Sequence, residues 1–204
     1  MAKLFIANCV NKNPRIDKAR PESTRQRERR RTSAVLKPAF FDRPADEVAR
    51  GLLGMALVRK NERARQTLII TETEAYLGPH DLASHSARGR TPRTEVMFGE
   101  PGRLYIYRVY GLHLMLNVVT GPPGYAAAVL IRSAGYASGP GRVARALGLD
   151  SALNGKPACP DTGLWIEERS IQGRIIATPR IGVDYAGPRW SRRKLRFVMT
   201  SSPP

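Results

Sequence analysis

The sequence predicts an α+β fold, a single domain with a curved, mostly antiparallel β-sheet core flanked by helices. Three observations carry that expectation. Short apolar stretches follow one another through tight turns from Met55 to Thr200, with only two segments of helical period among them. No internal repeat occurs, and the strands do not alternate with helices as a doubly wound parallel sheet requires. The chain has 204 residues, 42% of them hydrophobic, which suits one core plus a tail.

The elements follow in order. Residues 1–38 stand apart: they hold 11 Lys and Arg against 3 acids, with the dense run Arg25 to Arg31. Their apolar residues are sparse and without period, so the segment is expected to form a basic, disordered arm, with the domain over 39–204. Asp42 is expected to cap a short helix that has Pro44 near its start and Val48, Leu52 and Leu53 on one face. Met55–Arg59 and Thr67–Thr73 read as strands joined by a charged turn around Asn61. Leu104–Tyr110 and His113–Thr120 follow, and the Gly121-Pro122-Pro123-Gly124 turn leads into Ala126–Arg132. Beyond Gly139-Pro140-Gly141, Arg142–Leu149 reads as a helix with Val143, Ala146 and Leu147 inward. Trp165–Glu168 and Leu195–Thr200 read as late strands.

Charge narrows the partner. The chain carries 34 Lys and Arg against 17 Asp and Glu, a net of +17, and residues 39–204 still hold 23 bases and 14 acids. An excess on the globular part itself points to a polyanion, meaning nucleic acid or an acidic membrane surface. No stretch approaches the roughly 18 consecutive apolar residues of a spanning helix. Met1 to Val10 reads poorly as a signal peptide, although an Arg-rich, acid-poor start also has the composition of an organellar targeting segment. Cys9 and Cys159 suggest neither a disulfide framework nor a thiolate site, and His80, His85 and His113 have no partners at metal-ligand spacing. The expectation is therefore no metal or other cofactor. The compartment is expected to be a reducing interior: cytoplasm or nucleoid in a bacterium, nucleus in a eukaryote, not the outside.

The stretch Ile69 to Pro79 carries the chemistry. Alternation puts Glu72, Glu74 and Tyr76 on one face of a strand, and the Gly78-Pro79 turn places Glu74 near the strand end. Taken alone, such a carboxylate is most simply a solvated side chain. Its company is more specific: His85-Ser86 downstream, Met97-Phe98-Gly99, the run Pro101 to Gly111 with Tyr105, Tyr107 and Tyr110, then Asn117, Arg132, the segment Ile181 to Gly187, and Leu195-Arg196-Phe197. Together these resemble the alkyladenine (3-methyladenine, or N-methylpurine) DNA glycosylase family, over approximately Phe40 to Val198.

The resemblance implies roles. Glu74 falls at the general base that deprotonates the attacking water, and Arg132 at the residue that helps hold that water. Tyr76, His85 and Tyr107 fall where the extruded base is sandwiched, His85 mainly through its main chain. Tyr105 and Tyr107 share a strand face, and spacing alone does not separate them. Tyr110 falls at the residue wedged into the duplex, and Asn117 at a pocket residue that obstructs the 2-amino group of guanine. No lysine in these motifs offers an amine nucleophile, so the implied enzyme is monofunctional. It would act as a monomer, without metal or cofactor, on double-stranded DNA containing a damaged purine: 3-methyladenine, 7-methylguanine, hypoxanthine or ethenoadenine. One departure stands out. Only Ser133 to Ser138 link Arg132 to Gly139-Pro140-Gly141, where family members carry several tens of residues, which puts activity and substrate range at issue more than fold. The other readings are a non-catalytic DNA-binding protein and RNA binding through the basic arm.

Removing Met1 to Lys37 is expected to weaken nonspecific DNA affinity and flatten its salt dependence, while single-turnover rates at saturating protein stay similar. Binding titrations at several salt concentrations check this, and a large loss of the chemical step would make the arm part of the site.

Overall fold

Turn residues cut the apolar sequence into segments too short to stand alone, so the strands find stability only by pairing. The computed structural model describes residues 34–62, 64–169 and 171–200. The chain forms helices α1 (Pro38–Phe41) and α2 (Ala45–Gly51), then strands β1 (Ala56–Lys60) and β2 (Arg65–Tyr76). Strands β3 (Leu104–Val109), β4 (His113–Thr120), β5 (Ala127–Ala134) and β6 (Ala137–Ser138) precede helix α3 (Pro140–Ala146). Strands β7 (Leu164–Glu167) and β8 (Arg174–Thr178), helix α4 (Pro188–Ser191) and strand β9 (Arg196–Thr200) complete it. Every strand pair among the described residues is antiparallel. The main order is β3-β4-β5-β2-β1-β7, with β9 also on β2, β8 on β9 and β6 on β5. The α+β expectation holds.

Strand β2 is the pivot. Its first half pairs with β1, from Lys60↔Arg65 to Ala56↔Ile69. Its second half pairs with β5, from Ile70↔Ala134 to Tyr76↔Ala128, and on its opposite edge with β9 over Glu72 to Glu74. The ladder to β5 is irregular at one place, where Thr71 and Arg132 drop out of the pairing. Such an irregularity re-aims the side chains beside it.

The pleat divides the sheet into two faces with different work. On β3, β4 and β5 one alternation (Leu104 and Ile106, Leu116 and Val118, Val129 and Ile131) joins the main core. Helix α2 adds Ala45, Val48, Ala49 and Leu52 to it, and α3 adds Val143. The other alternation on the same strands (Tyr105 and Tyr107, Met115 and Asn117, Leu130 and Arg132) faces a cavity instead.

Several expectations are revised. Asp42 does not cap α2; it closes α1, its N–H donating to the Pro38 carbonyl at 3.1 Å, and α2 starts after Pro44 without a side-chain cap. Strand β2 runs to Tyr76 rather than Thr73, because β5 pairs with it as far as Ala128; Glu74 is thus inside the ladder, two residues from the strand's end. Strand β3 stops at Val109, leaving Tyr110 in a turn. Strand β8 was not foreseen, since it is an edge strand whose residues Arg174 to Ile176 are exposed and carry no alternation. The basic arm lies outside the described residues up to position 33, but the chain already packs within the expected arm: Val35 bridges to Glu167 and Leu36 is buried. A truncation that spares the core therefore stops at residue 33.

Gly163, remote from the cavity, tests the frame alone. Its φ is +75°, and a Cβ there would meet the Lys60 carbonyl oxygen at 2.5 Å. Gly163→Ala is expected to cost about 2 kcal/mol or more, a drop of roughly 4–8 °C in Tm, with the folded-state spectrum retained at low temperature. Thermal melts followed by circular dichroism check this.

Candidate active site

The cavity on the open face of β3, β4 and β5 has a volume of about 560 Å³, within the range of small-molecule sites. Its wall includes Tyr76, His85, Tyr107, Asn117 and Arg132, with Tyr110 at the rim. The structure thus gathers around one pocket side chains that the sequence spreads over 57 positions between Tyr76 and Arg132 in number, counting inclusively.

Glu74 is fully buried and does not itself line this pocket; it sits against Tyr76, Arg132 and Ile181, which do. Three donors reach it. The Ile181 N–H donates to Oε1 at 2.8 Å, Arg132 Nη1 lies 3.2 Å from the same oxygen, and the Tyr76 hydroxyl donates to Oε2 at 3.0 Å. Burial is the largest influence on this carboxyl and drives its pKa above the ordinary 4.5; Arg132, the Ile181 amide and the Tyr76 hydroxyl pull the other way without cancelling it. Arg132 therefore limits the rise rather than preventing it.

Glu72 has a different environment one alternation away. It receives Ser133 Oγ at 2.7 Å, Arg196 Nη1 at 2.7 Å and Arg132 Nε at 3.1 Å. Burial raises its pKa, but Ser133, Arg196 and Arg132 together bring it below 4.5. Arg132 bridges the two carboxylates, and Glu72 orients it. Two glutamates on one strand face thus differ: one is solvated by charges, the other held in a dry site.

The aromatic residues form a second layer. The His85 ring meets Tyr107 edge-on at 4.6 Å between centroids, and its Nδ1 is 2.9 Å from the Tyr105 hydroxyl. Burial, with Arg93 and Arg88 nearby, lowers the His85 pKa to about 4, so the ring is neutral at physiological pH. Burial also raises the phenols of Tyr76 and Tyr107, keeping both rings protonated. Tyr105 is buried beside Tyr107; both line the cavity and both pack on His85, Tyr105 with its hydroxyl against Nδ1. Asn117 is buried with Nδ2 donating to the Tyr105 carbonyl at 3.1 Å.

Tyr110 occupies a tight turn between β3 and β4. It has φ +51° and Gly111 has φ +68°, the left-handed pair that a type I′ hairpin turn uses. Its side chain is 90% exposed. The link from Ser133 to Ser138 is a closed hairpin in which Ser133 pairs with Ser138 and Ala134 with Ala137. It delivers the chain directly to Pro140, which lines the cavity.

Sequence reasoning singled out the Ile181 segment but not its contact with Glu74, and missed Asp81 and Arg180. Ile181 acts through its amide, which no side-chain pattern reveals. Asp81 and Arg180 form a fully buried ion pair across 99 positions of sequence. Among the described residues, no group of three or more His, Cys, Asp or Glu is placed to hold a metal ion, and no helix is long and apolar enough to cross a membrane.

Comparison with known proteins gives the family. The family profile described as methylpurine-DNA glycosylase matches residues 39–137 and 133–203. The chain belongs to the methylpurine-DNA glycosylase family. The two matched stretches overlap at the short hairpin. A protein of Methanocella arvoryzae, provisionally named 3-methyladenine DNA glycosylase, is 43% identical over 189 residues, covering 83% of this chain and 94% of its own length. Proteins given the same name in Myxococcus xanthus (44% over 177 residues; 82% and 91%) and Psychrobacter cryohalolentis (38% over 204 residues; 84% and 94%) are also similar. Membership of this methylpurine-DNA glycosylase family makes the chain a DNA glycosylase, a hydrolase of base-excision repair.

The raised carboxyl has a consequence for stability. A carboxyl whose folded-state pKa exceeds its unfolded value favours folding when neutral; ionising it costs stability as pH climbs past the unfolded value. Glu74→Gln is expected to melt no lower than the parent at about pH 8, with any advantage shrinking towards about pH 4, where the parent carboxyl is neutral. Parallel melts across pH check this, and a Gln variant much less stable at pH ~8 would contradict it.

Proposed function

We propose that the chain is a monofunctional glycosylase that extrudes an alkylated or deaminated purine from duplex DNA and hydrolyses its N-glycosidic bond, with Glu74 as general base. The observation that carries this is the buried Glu74 carboxylate beside an aromatic pocket, held by Arg132, the Ile181 amide and Tyr76. A protein that only binds phosphates gains nothing from a buried anion, which would repel them.

The chemistry follows from the donors. Extrusion delivers the purine between Tyr76 and the His85–Tyr107 side, where electron-rich rings stack on an electron-poor alkylated base. As the bond from C1′ to the base nitrogen breaks, its electron pair leaves with the base and C1′ becomes oxocarbenium-like. Water adds to C1′, and Glu74 takes up its proton; the carboxylate also stabilises the positive sugar. An alkylated purine that carries a positive charge leaves neutral, whereas hypoxanthine must gain a proton on departure. Arg132 favours the ionised form of Glu74 and orients its carboxylate. Asn117, buried in the wall, selects against the 2-amino group of guanine by crowding and a hydrogen-bond mismatch. Tyr110, exposed at its hairpin tip, fills the gap left in the duplex.

Duplexes carrying 3-methyladenine, 7-methylguanine, hypoxanthine or ethenoadenine provide the test. Excision of at least one is expected, with strand breaks only after alkali. No excision of any would remove the enzymatic reading in favour of a non-catalytic lesion binder. Glu74→Gln is expected to bind the lesion while losing about 10²–10⁴-fold in single-turnover rate. The acid limb of the pH–rate profile is expected above the ordinary carboxyl value of 4.5, because activity needs the ionised form of a carboxyl whose pKa burial has raised.

A further inference from the structure

The segment that follows β8 reaches Glu74 through the Ile181 amide, and one buried side chain governs where that segment lies. We propose that Arg180 is a positioning residue of this site, holding the Ile181 N–H on Glu74 and the Tyr76 ring at the pocket wall. The inference rests on the glycosylase reading for the roles of Glu74 and Tyr76, and on separate observations for Arg180 itself.

Arg180 and Asp81 are both completely buried, and they meet in a bidentate pair at 2.5 and 2.9 Å. Arg180 Nη1 also donates to the Ala75 carbonyl at 2.9 Å, the backbone group between Glu74 and Tyr76. The guanidinium carbon lies 4.8 Å from the Tyr76 ring centroid. Asp81, in turn, accepts the Leu77 and Ala83 amides, each at 3.1 Å, and so shapes the turn leading to His85. The residue after Arg180 is Ile181, whose amide is 2.8 Å from Glu74 Oε1. One guanidinium thus joins the strand bearing the base, the turn before His85 and the segment that supplies Glu74's amide donor.

Stability is a poor account of this arrangement. Buried ion pairs can often be exchanged for apolar side chains without loss, because desolvation consumes most of the Coulomb gain. Arg180 Nε is moreover buried with no hydrogen-bond partner, a further penalty. What the pair supplies, and apolar packing does not, is direction: a planar fork fixes two carboxylate oxygens and a carbonyl in one geometry.

The test uses the full chain with Arg180→Met combined with Asp81→Leu, which removes both charges together, and Arg180→Lys as the milder change. Glu74 titration is followed by carbon-13 NMR of labelled glutamate carboxyls, assigned with Glu74→Gln. Single-turnover excision of hypoxanthine from duplex DNA is measured across pH at saturating protein, beside Tm. The double variant is expected to fold with a lowered Tm, because the Leu77 and Ala83 amides lose their acceptor, to titrate Glu74 at higher pH because an amide donor to the carboxylate is lost, and to excise about tenfold or more slowly near neutral pH. Arg180→Lys is expected to fall between. A folded variant with parental titration and rate overturns the proposal, as does a slower rate with no movement of the titration, the mark of a general staple. If the double variant fails to fold, Arg180→Lys decides by the same two readings. Should the parent excise nothing while the titration shifts, the positioning role stands and the glycosylase reading falls.

Discussion

Keeping one negative charge out of water is the constraint on which the site depends. Removing an unpaired carboxylate from solvent costs several kcal/mol, whereas a hydrogen bond to a charged group returns about 1.5–3 kcal/mol. Glu74 therefore needs more than one donor, and its three come from separate parts of the chain: β5, the segment after β8, and its own strand. Only a sheet that brings β5 to β2 at one edge, with the chain after β8 close by, can assemble them. Burial still prevails, and the carboxyl stays above its ordinary value.

The pleat lets this be done without spoiling the core. On β3, β4 and β5 every second side chain contributes to one hydrophobic cluster, while the residues between them form the cavity wall. Adhesion and chemistry are thus assigned to opposite faces of the same strands. The irregular pairing at Arg132 falls where β5 must turn a charged side chain towards two glutamates. Helix α2 packs on the adhesive face, and α3 does so too except at Pro140, which borders the cavity.

The parts of this design that obey a short period could be read from the sequence. Alternation places Glu72, Glu74 and Tyr76 on one face, and the ladder keeps them there, with Arg132 touching both glutamates. The tight turns delimit β3, β4 and β5 to within a residue or two. What escaped has no local signature. Ile181 contributes a backbone amide, Arg180 meets its carboxylate across 99 positions, and β8 forms because β9 offers it an edge. Asp42 looked like a helix cap because residue type favours it, but the preceding helical turn claims its backbone first.

The turn that carries Tyr110 has one more implication. A tyrosine at φ +51° sits where side chains other than glycine, asparagine or aspartate are uncommon, and roughly 1–2 kcal/mol of backbone strain accompanies it. That strain is met during folding and is balanced by the pairing of β3 with β4 on either side. The projecting ring consequently arrives at any partner on a backbone already committed to one conformation, with only its side-chain rotations left to order. A partner engaged by this tip, the duplex of the proposed function included, would meet it by something closer to rigid docking than to coupled folding, spending little affinity on entropy.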